Sequence, residues 1–444
     1  MSKKYFGTDG VRGVVGKDPM TADFAMRLAS AAARVLVPTG GTVLIGKDTR
    51  LSGYMFESAL EAGFVAAGAD VLLLGPLPTP GIAVLTQEFD ADLGVVISAS
   101  HNAYQDNGIK FFDGAGSKLT DDIEREIESQ LDKPAITLES RSLGKARRID
   151  SASIRYQEFI ASTFPSDLSL EGLKVVFDGA NGAGYKVGPR TLADLGAEVI
   201  PIGCSPNGRN INDGCGSTAP ELLLTTVPAV GADVGIALDG DGDRVAMIDE
   251  NGQLIDGDQL LFILATARQD SGDLRGPVVG TVMSNLGLEH ALRDKGIEFR
   301  RASVGDRYVL EALKQTGGII GGETSGHMIV LDRTTTGDGM ICALQILAVM
   351  QSTGRKLSDL AAGMPKYPQT MVNVKVEKRM NPDDSAIIQK AVVAAEKELA
   401  ETGRIVLRAS GTEAVIRVMV EGQDEQVVND LAQKLAAVVS EASD

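Results

Sequence analysis

The sequence predicts an α/β protein with three repeated α/β domains, each built on a mixed, mainly parallel sheet. A smaller C-terminal α+β domain follows. Three observations lead there. Helical patterns end three times in a glycine that runs into a strand, at Gly68-Ala69-Asp70-Val71, Gly196-Ala197-Glu198-Val199 and Gly296-Ile297-Glu298-Phe299. An apolar strand opens each of these units, at Thr42 to Ile45, Lys174 to Phe177 and Pro277 to Val282. Each unit then carries a further apolar strand that ends in a polar loop. Strand, helix, strand at this spacing implies parallel pairing through a right-handed crossover.

The first unit's added strand, Gly94-Val95-Val96-Ile97, leads to Ser98-Ala99-Ser100-His101-Asn102, with Asn107-Gly108-Ile109-Lys110 close behind. In the second, Gly235-Ile236-Ala237-Leu238 leads to Asp239-Gly240-Asp241-Gly242-Asp243-Arg244. In the third, Gly318-Ile319-Ile320 leads to Gly321-Gly322-Glu323-Thr324-Ser325-Gly326-His327. Open α/β sheets bind ligands beyond the carboxyl ends of their strands, so the three loops are expected to wall one cleft. Pro365-Lys366-Tyr367-Pro368 reads as a linker. Beyond it, Val372 to Val376 alternates like a strand and Ser385 to Glu401 is an amphipathic helix. Arg404 to Leu407 and Val415 to Val420 read as paired strands around the turn Arg408-Ala409-Ser410-Gly411-Thr412-Glu413, and Gln426 to Val439 as a closing helix. The domains are expected at 1–152, 153–254, 255–366 and 367–444.

A chain of 444 residues is too long for one core. The longest apolar run, Met340 to Met350, is interrupted by Gln345 and is too short for a bilayer. The basic start, Met1-Ser2-Lys3-Lys4, lacks an apolar signal segment. Cys204, Cys215 and Cys342 cannot all pair with one another, and none sits in a CxxC. A reduced, cytoplasmic location is expected. The net charge of −17 argues against nonspecific nucleic-acid binding. It also means that a phosphate ligand needs a local cluster of cations, metal or backbone N–H groups.

Few places offer one. Asp239, Asp241 and Asp243 repel one another unless a cation neutralises them, and the intervening glycines let their oxygens converge. Hard oxygen ligands favour Mg²⁺, one per subunit; an acidic surface turn is the alternative. Val245 to Ile248 reads as a strand before Glu250, the twelfth position by count, which argues against an EF-hand loop. Ser100 is a nucleophile without a Ser-His-Asp triad, or else a turn cap; a phosphate on it would give the metal a fourth ligand. His101 and His327 fall in the proposed loops, and His290 does not. Lys110 suits phosphate charge or proton transfer, or is a solvated surface lysine. Arg408, Ser410, Gly411, Thr412 and Arg417 form the best phosphate cradle, with a structural Arg–Glu413 pair as its rival. Glu323 and Ser325 suit sugar hydroxyls. Gly179 to Gly184 is a tight strand–helix turn without dinucleotide-binding spacing.

Taken in order, these four loops resemble the α-D-phosphohexomutase superfamily across nearly the whole chain. Phe6-Gly7-Thr8-Asp9-Gly10-Val11-Arg12-Gly13, Asp106 to Phe112, and Asn210-Ile211-Asn212 with Cys215-Gly216-Ser217-Thr218 resemble its bacterial phosphoglucosamine mutase branch. The resemblance implies four domains around a central cleft. It also implies a phosphate on Ser100 bridging to Mg²⁺ on Asp239, Asp241 and Asp243, sugar contacts from Glu323 and Ser325, and a phosphate held between Arg408 and Arg417. Three alanines depart from the family pattern: Ala103 and Ala414 replace prolines, and Ala219 replaces a histidine.

The activity expected from the resemblance is interconversion of glucosamine 6-phosphate and glucosamine 1-phosphate through a phosphoserine and glucosamine 1,6-bisphosphate, feeding amino-sugar nucleotide and cell-wall synthesis. Arg12, Lys110 and Arg244 would stabilise the transferring charge, and His101, Lys110 and His327 are the proton-transfer candidates. A phosphoglucomutase or phosphomannomutase, a phosphatase and a non-catalytic sugar-phosphate binder are the rivals. No nucleic acid or membrane partner is expected. The oligomeric state stays open, a homodimer among the options.

Overall fold

The computed structural model describes residues 3–7, 9–377, 380–409 and 414–443, with Glu401 and Ser443 described by backbone alone. Gly68, Gly196 and Gly296 have φ of 92°, 104° and 72°, the left-handed geometry that closes a helix and that glycine adopts without steric cost. They follow the helices Ser52–Ala66, Val187–Asp194 and Leu286–Asp294. The flanking strands pair in parallel as the repeat requires: Gly41–Lys47 with Ala69–Pro76, Lys174–Asp178 with Glu198–Ile202, and Val278–Thr281 with Phe299–Ala302.

All three sheets share one kind of antiparallel pairing. Each polar loop is the turn of a hairpin, in which the strand that delivers the loop pairs with the strand that leaves it. Leu93–Ile97 pairs antiparallel with Asp106–Asp113, Val234–Leu238 with Val245–Asp249, and Ile320–Gly322 with Met328–Val330. The first sheet has six strands, the second five and the third four. The outgoing strand, like the incoming one, is almost wholly buried, so a polar group carried there needs a partner inside the protein.

One continuous apolar core runs from Leu44 to Met364 and joins the first three sheets. At its centre lies helix Gly339–Thr353, buried on nearly every side, which explains the apolar run seen in the sequence. Among the described residues, no helix is long and apolar enough to cross a membrane. The C-terminal segment has a separate core, spanning Val374 to Val439. Its sheet is fully antiparallel, with Val415–Gly422 between Gln369–Lys375 and Gly403–Ala409, and helices Ala386–Leu399 and Glu425–Ser443 accompany it.

The proline-flanked linker is more constrained than its sequence suggests. Asn285 donates to the Tyr367 carbonyl and accepts from its N–H, both at 3.0 Å. The Tyr367 hydroxyl is 3.1 Å from His290 Nδ1 and accepts from Gln423 at 2.8 Å. Beside it, buried Glu421 accepts from Leu286 N–H at 2.9 Å and from Arg404 at 2.7 Å. Arg404 also donates to the carbonyls of Val282 and Ser284. The C-terminal sheet is therefore attached to the third at one polar seam, while the two apolar cores stay separate.

Candidate active site

Strand Leu93–Ile97 ends at a reversal that places Ser100 at φ 52°, a left-handed conformation unusual for serine. The Ser98 hydroxyl accepts from Ser100 N–H at 2.9 Å. Ser100 Oγ donates to Asp239 Oδ2 at 2.6 Å and lies 3.4 Å from His101 Nδ1. The first and second hairpin turns thus meet at the serine oxygen.

Asp239, Asp241 and Asp243 are all buried, and one ligand oxygen from each lies within 4.8 Å of the others. Oδ1 of Asp241 and Oδ1 of Asp243 are buried without a hydrogen-bond partner. Burial, together with Asp243 and Asp241, pushes the Asp239 carboxyl well above its ordinary range. Buried, crowded oxygens with no donor are what a hard cation would satisfy, so this trio fits Mg²⁺. The loop is held from the first domain. Thr79 donates its hydroxyl to Asp241 Oδ2 at 2.7 Å, and its N–H to the Asp241 carbonyl at 2.9 Å.

Lys110 is no surface lysine. It is buried behind the cleft wall, 2.8 Å from Asp241, 2.9 Å from Asp9 and 3.9 Å from Asp243. Burial opposes its charge, but Asp241 and Asp9 outweigh it and hold its pKa above the lysine value. His327 is also encased, 3.7 Å from Asp243 and 3.4 Å from Asp306; those carboxylates overcome burial and raise it to about 9. His101 behaves oppositely. Burial, reinforced by Arg244 and Arg12, lowers it to about 4, so it is a neutral imidazole near neutral pH.

These loops open on a cleft of about 800 Å³. Ser100, His101, Arg12, Asp243 and Arg244 line it on one side, and Glu323, Ser325 and His327 on another. Arg244 and His327 form a backbone bridge, and Gly326 at φ 87° is required there because a Cβ would lie 2.0 Å from the Val245 carbonyl. Glu323 accepts from Gly305 N–H at 3.0 Å. Arg408 and Arg417 face the cleft from the C-terminal sheet as directly opposed cross-strand partners. Like charges so placed repel, unless an anion sits between them. Ser410, Gly411 and Thr412, expected in the same cradle, and Glu413 with them, lie outside the described residues. At the three alanine departures the backbone is paired: the Ala103 and Ala414 carbonyls accept from Asp106 and Val376, and Ala219 N–H donates to Gly216.

Several cleft residues escaped the sequence reading. Lys118 bridges Asp9 of the first sheet's domain to Asp306 of the third, at 2.5 Å each. Arg307 reaches the Leu119 carbonyl at 2.8 Å and pairs with Asp121. Strand Phe299–Ala302 ends just before Gly305 and Asp306, so the carboxyl-end rule could have found this fourth loop; Asp9 sat unassigned in the Phe6 to Gly13 motif. Lys118 gave no local signal, since its partners lie far along the chain.

Residues 3–136, 155–252 and 256–367 match the alpha/beta/alpha domains I, II and III of the phosphoglucomutase/phosphomannomutase family, and residues 371–438 match its C-terminal domain. Over 443 residues the chain is 56% identical to the phosphoglucosamine mutase of Aeromonas hydrophila, covering 100% of both proteins. It is also 56% identical over 441 residues to that of Nitrosococcus oceani, covering 99% of this chain and 98% of the relative. A crystal structure of a phosphoglucomutase/phosphomannomutase family protein from Burkholderia thailandensis superimposes with a TM-score of 0.82 at 25% identity, covering 100% of this chain and 98% of that one. With all four domains matched in order and the serine, aspartate and arginine loops meeting at one cleft, the chain belongs to the phosphoglucomutase/phosphomannomutase family.

Proposed function

We propose that the protein interconverts glucosamine 6-phosphate and glucosamine 1-phosphate, with Ser100 as phosphoryl carrier. The observation that carries this reading is the 2.6 Å contact between Ser100 Oγ and the buried aspartate trio, in a cleft whose far wall carries Arg408 and Arg417. The choice of amino sugar is supported by the 56% identity to the Aeromonas hydrophila enzyme.

Asp239, Asp241 and Asp243 would hold Mg²⁺, which would neutralise charge on the transferring phosphoryl group. The bond between phosphorus and Ser100 Oγ breaks as one forms to the free hydroxyl oxygen of the sugar. The proton of that hydroxyl passes through a base to the departing Ser100 oxygen. His101 is the base candidate by reach, its Nδ1 lying 3.4 Å from Oγ, although burial, Arg244 and Arg12 keep it weakly basic. Lys110 and His327 are held charged by carboxylates, which suits electrostatic support rather than proton acceptance. The sugar, now glucosamine 1,6-bisphosphate, reverses in the cleft, and Arg408 and Arg417 hold whichever phosphate is not reacting. The second transfer restores the phosphoserine, and the serine proton goes to the released sugar oxygen. Glu323 and Ser325 would grip ring hydroxyls, with Arg12 and Arg244 balancing phosphate charge.

The test compares glucosamine, glucose and mannose 6-phosphates side by side for wild type and Ser100→Ala, with intact-mass measurement of each protein. Highest kcat/KM for the glucosamine ester is expected, with a phosphate adduct on wild type and neither turnover nor adduct on Ser100→Ala. Equal or better efficiency with glucose or mannose phosphate would move the substrate assignment to those sugars. A turning-over Ser100→Ala variant would refute the carrier.

A further inference from the structure

The motif Asn210-Ile211-Asn212 has no part in the chemistry described so far, yet its last residue reaches the serine loop from another domain. Asn212 Nδ2 donates to the Ser100 carbonyl at 2.9 Å and to the Asn102 carbonyl at 3.0 Å. Both amide hydrogens are thereby used, which fixes the orientation of the group, since only nitrogen can face two carbonyl oxygens. The same two carbonyls receive a second donor from the first domain. Buried Arg50 donates to Ser100 O at 3.1 Å and also to Asn102 O, and Asp48 balances its charge.

The arrangement tolerates little play. Asn212 is itself left-handed, at φ 58°, a conformation asparagine adopts more readily than most residues. Its N–H donates to the Ala180 carbonyl at 2.9 Å. Beneath it lies Gly240 of the aspartate loop, where a Cβ would come within 2.6 Å of the Ser100 carbonyl and 2.7 Å of Asn212 Nδ2. The serine loop, the aspartate loop and Asn212 are therefore packed at backbone contact. Ser100 holds a sparsely populated φ, which persists only where the surroundings over-determine it. Its N–H is tied to Ser98 and its carbonyl to Arg50 and Asn212.

We propose that Asn212 is a positioning residue for the phosphoryl carrier: by clamping the carbonyls on either side of His101, it holds Ser100 Oγ in line for transfer. This rests on the phosphoserine reading above. Small misplacements of a reacting oxygen cost rate steeply, about a hundredfold for 1 Å, so loss of the clamp should appear in transfer rate rather than in substrate or metal affinity.

Asn212→Gly tests this without backbone strain, because glycine accepts φ 58° while removing both donors. Asn212→Asp keeps the shape but sets a carboxylate against two carbonyl oxygens. Both variants and wild type, first freed of any Ser100 phosphate with a phosphatase and checked by intact mass, are mixed with Mg²⁺ and glucose 1,6-bisphosphate. Phosphate transfer to Ser100 is followed in single turnovers by rapid quench and intact mass, alongside KM, Mg²⁺ affinity by calorimetry, and Tm. Transfer at least tenfold slower in both variants is expected, with KM and Mg²⁺ affinity within twofold of wild type. Wild-type transfer in Asn212→Gly overturns the inference, whatever its Tm. So does a loss matched by weaker Mg²⁺ or substrate binding, which would make Asn212 a support of the metal loop or the fold. Failure of the wild type itself to take up phosphate would refute the phosphoserine reading instead.

Discussion

Thr79 donates its hydroxyl hydrogen to Asp241 at 2.7 Å across 162 residues of chain. A helix start in the first domain thereby orients a carboxylate in the second, leaving Asp241 Oδ1 free of other donors. Partners of metal-binding carboxylates typically contribute 10- to 100-fold in affinity. Thr79→Val, which keeps the volume and removes the hydroxyl, should weaken Mg²⁺ binding by about tenfold, while activity at saturating Mg²⁺ stays near wild type. Calorimetric titration and a Mg²⁺ activation curve check both parts; unchanged affinity would mean that Lys110 alone orients Asp241.

Lys118 is the charge between Asp9 and Asp306. Removing Lys118 takes a charge-assisted contact from both carboxylates, with Lys110 still facing Asp9 and His327 facing Asp306, at a cost of about 1.5–3 kcal/mol. Lys118→Met should lower Tm by several degrees, and adding Asp306→Asn should recover part of the loss by removing one of the two opposed carboxylates. Thermal melts of the single and double variants decide it. A Tm equal to wild type in the single variant would show that solvent already screens the pair.

Arg417→Ala should raise KM for both phosphosugars, because the opposed pair with Arg408 would hold whichever phosphate is idle. Losing a charge-assisted contact of about 1.5–3 kcal/mol corresponds to roughly a 10- to 150-fold rise. Initial rates in both directions provide the measurement, and an effect limited to one direction would contradict a shared cradle.

Asp258 is fully buried, accepts from Asn285 N–H at 2.9 Å and from the Thr324 hydroxyl at 2.8 Å, and is pushed up to about 6 by burial and by Asp256. Between the ordinary value of 3.8 and about 6 the folded protein binds more protons there than the unfolded chain does. Stability from this group therefore falls as pH rises through that window and is constant above it. The loss is on the order of 2–3 kcal/mol. Asp258→Asn has no proton to lose, so its Tm relative to wild type should climb between pH 4 and 6.5 and then level off. A pH-independent difference would place the carboxyl at its ordinary value.

Much of the architecture was written locally. Gly68, Gly196 and Gly296 mark helix ends because a left-handed residue is a property of one position and its neighbours. The apolar strands before Ser100, Asp239 and Glu323 declare themselves by composition, and the rule that ligands gather at strand ends then places their loops on one cleft. Even the aspartate trio is legible as a candidate cation site, since three carboxylates on a glycine-rich turn repel one another at any distance from the rest of the chain.

What the sequence by itself determined was which loops gather at the cleft and which residue types they offer. Tertiary structure decided the state and aim of those groups. Lys110 reads as a lysine beside a serine, but burial against Asp241 and Asp9 makes it a fixed cation behind the wall. His101 and His327 look alike in sequence, yet one lies near Arg244 and Arg12 and the other between Asp243 and Asp306, so their proton affinities part in opposite directions. Lys118 carries no local mark, and Asn212 sits in a motif that does not show its contacts, because their partners lie 109 and 112 residues away. Charge and hydrogen-bond energies depend on separation in space and on the exclusion of water, and neither is encoded at a single position of the chain.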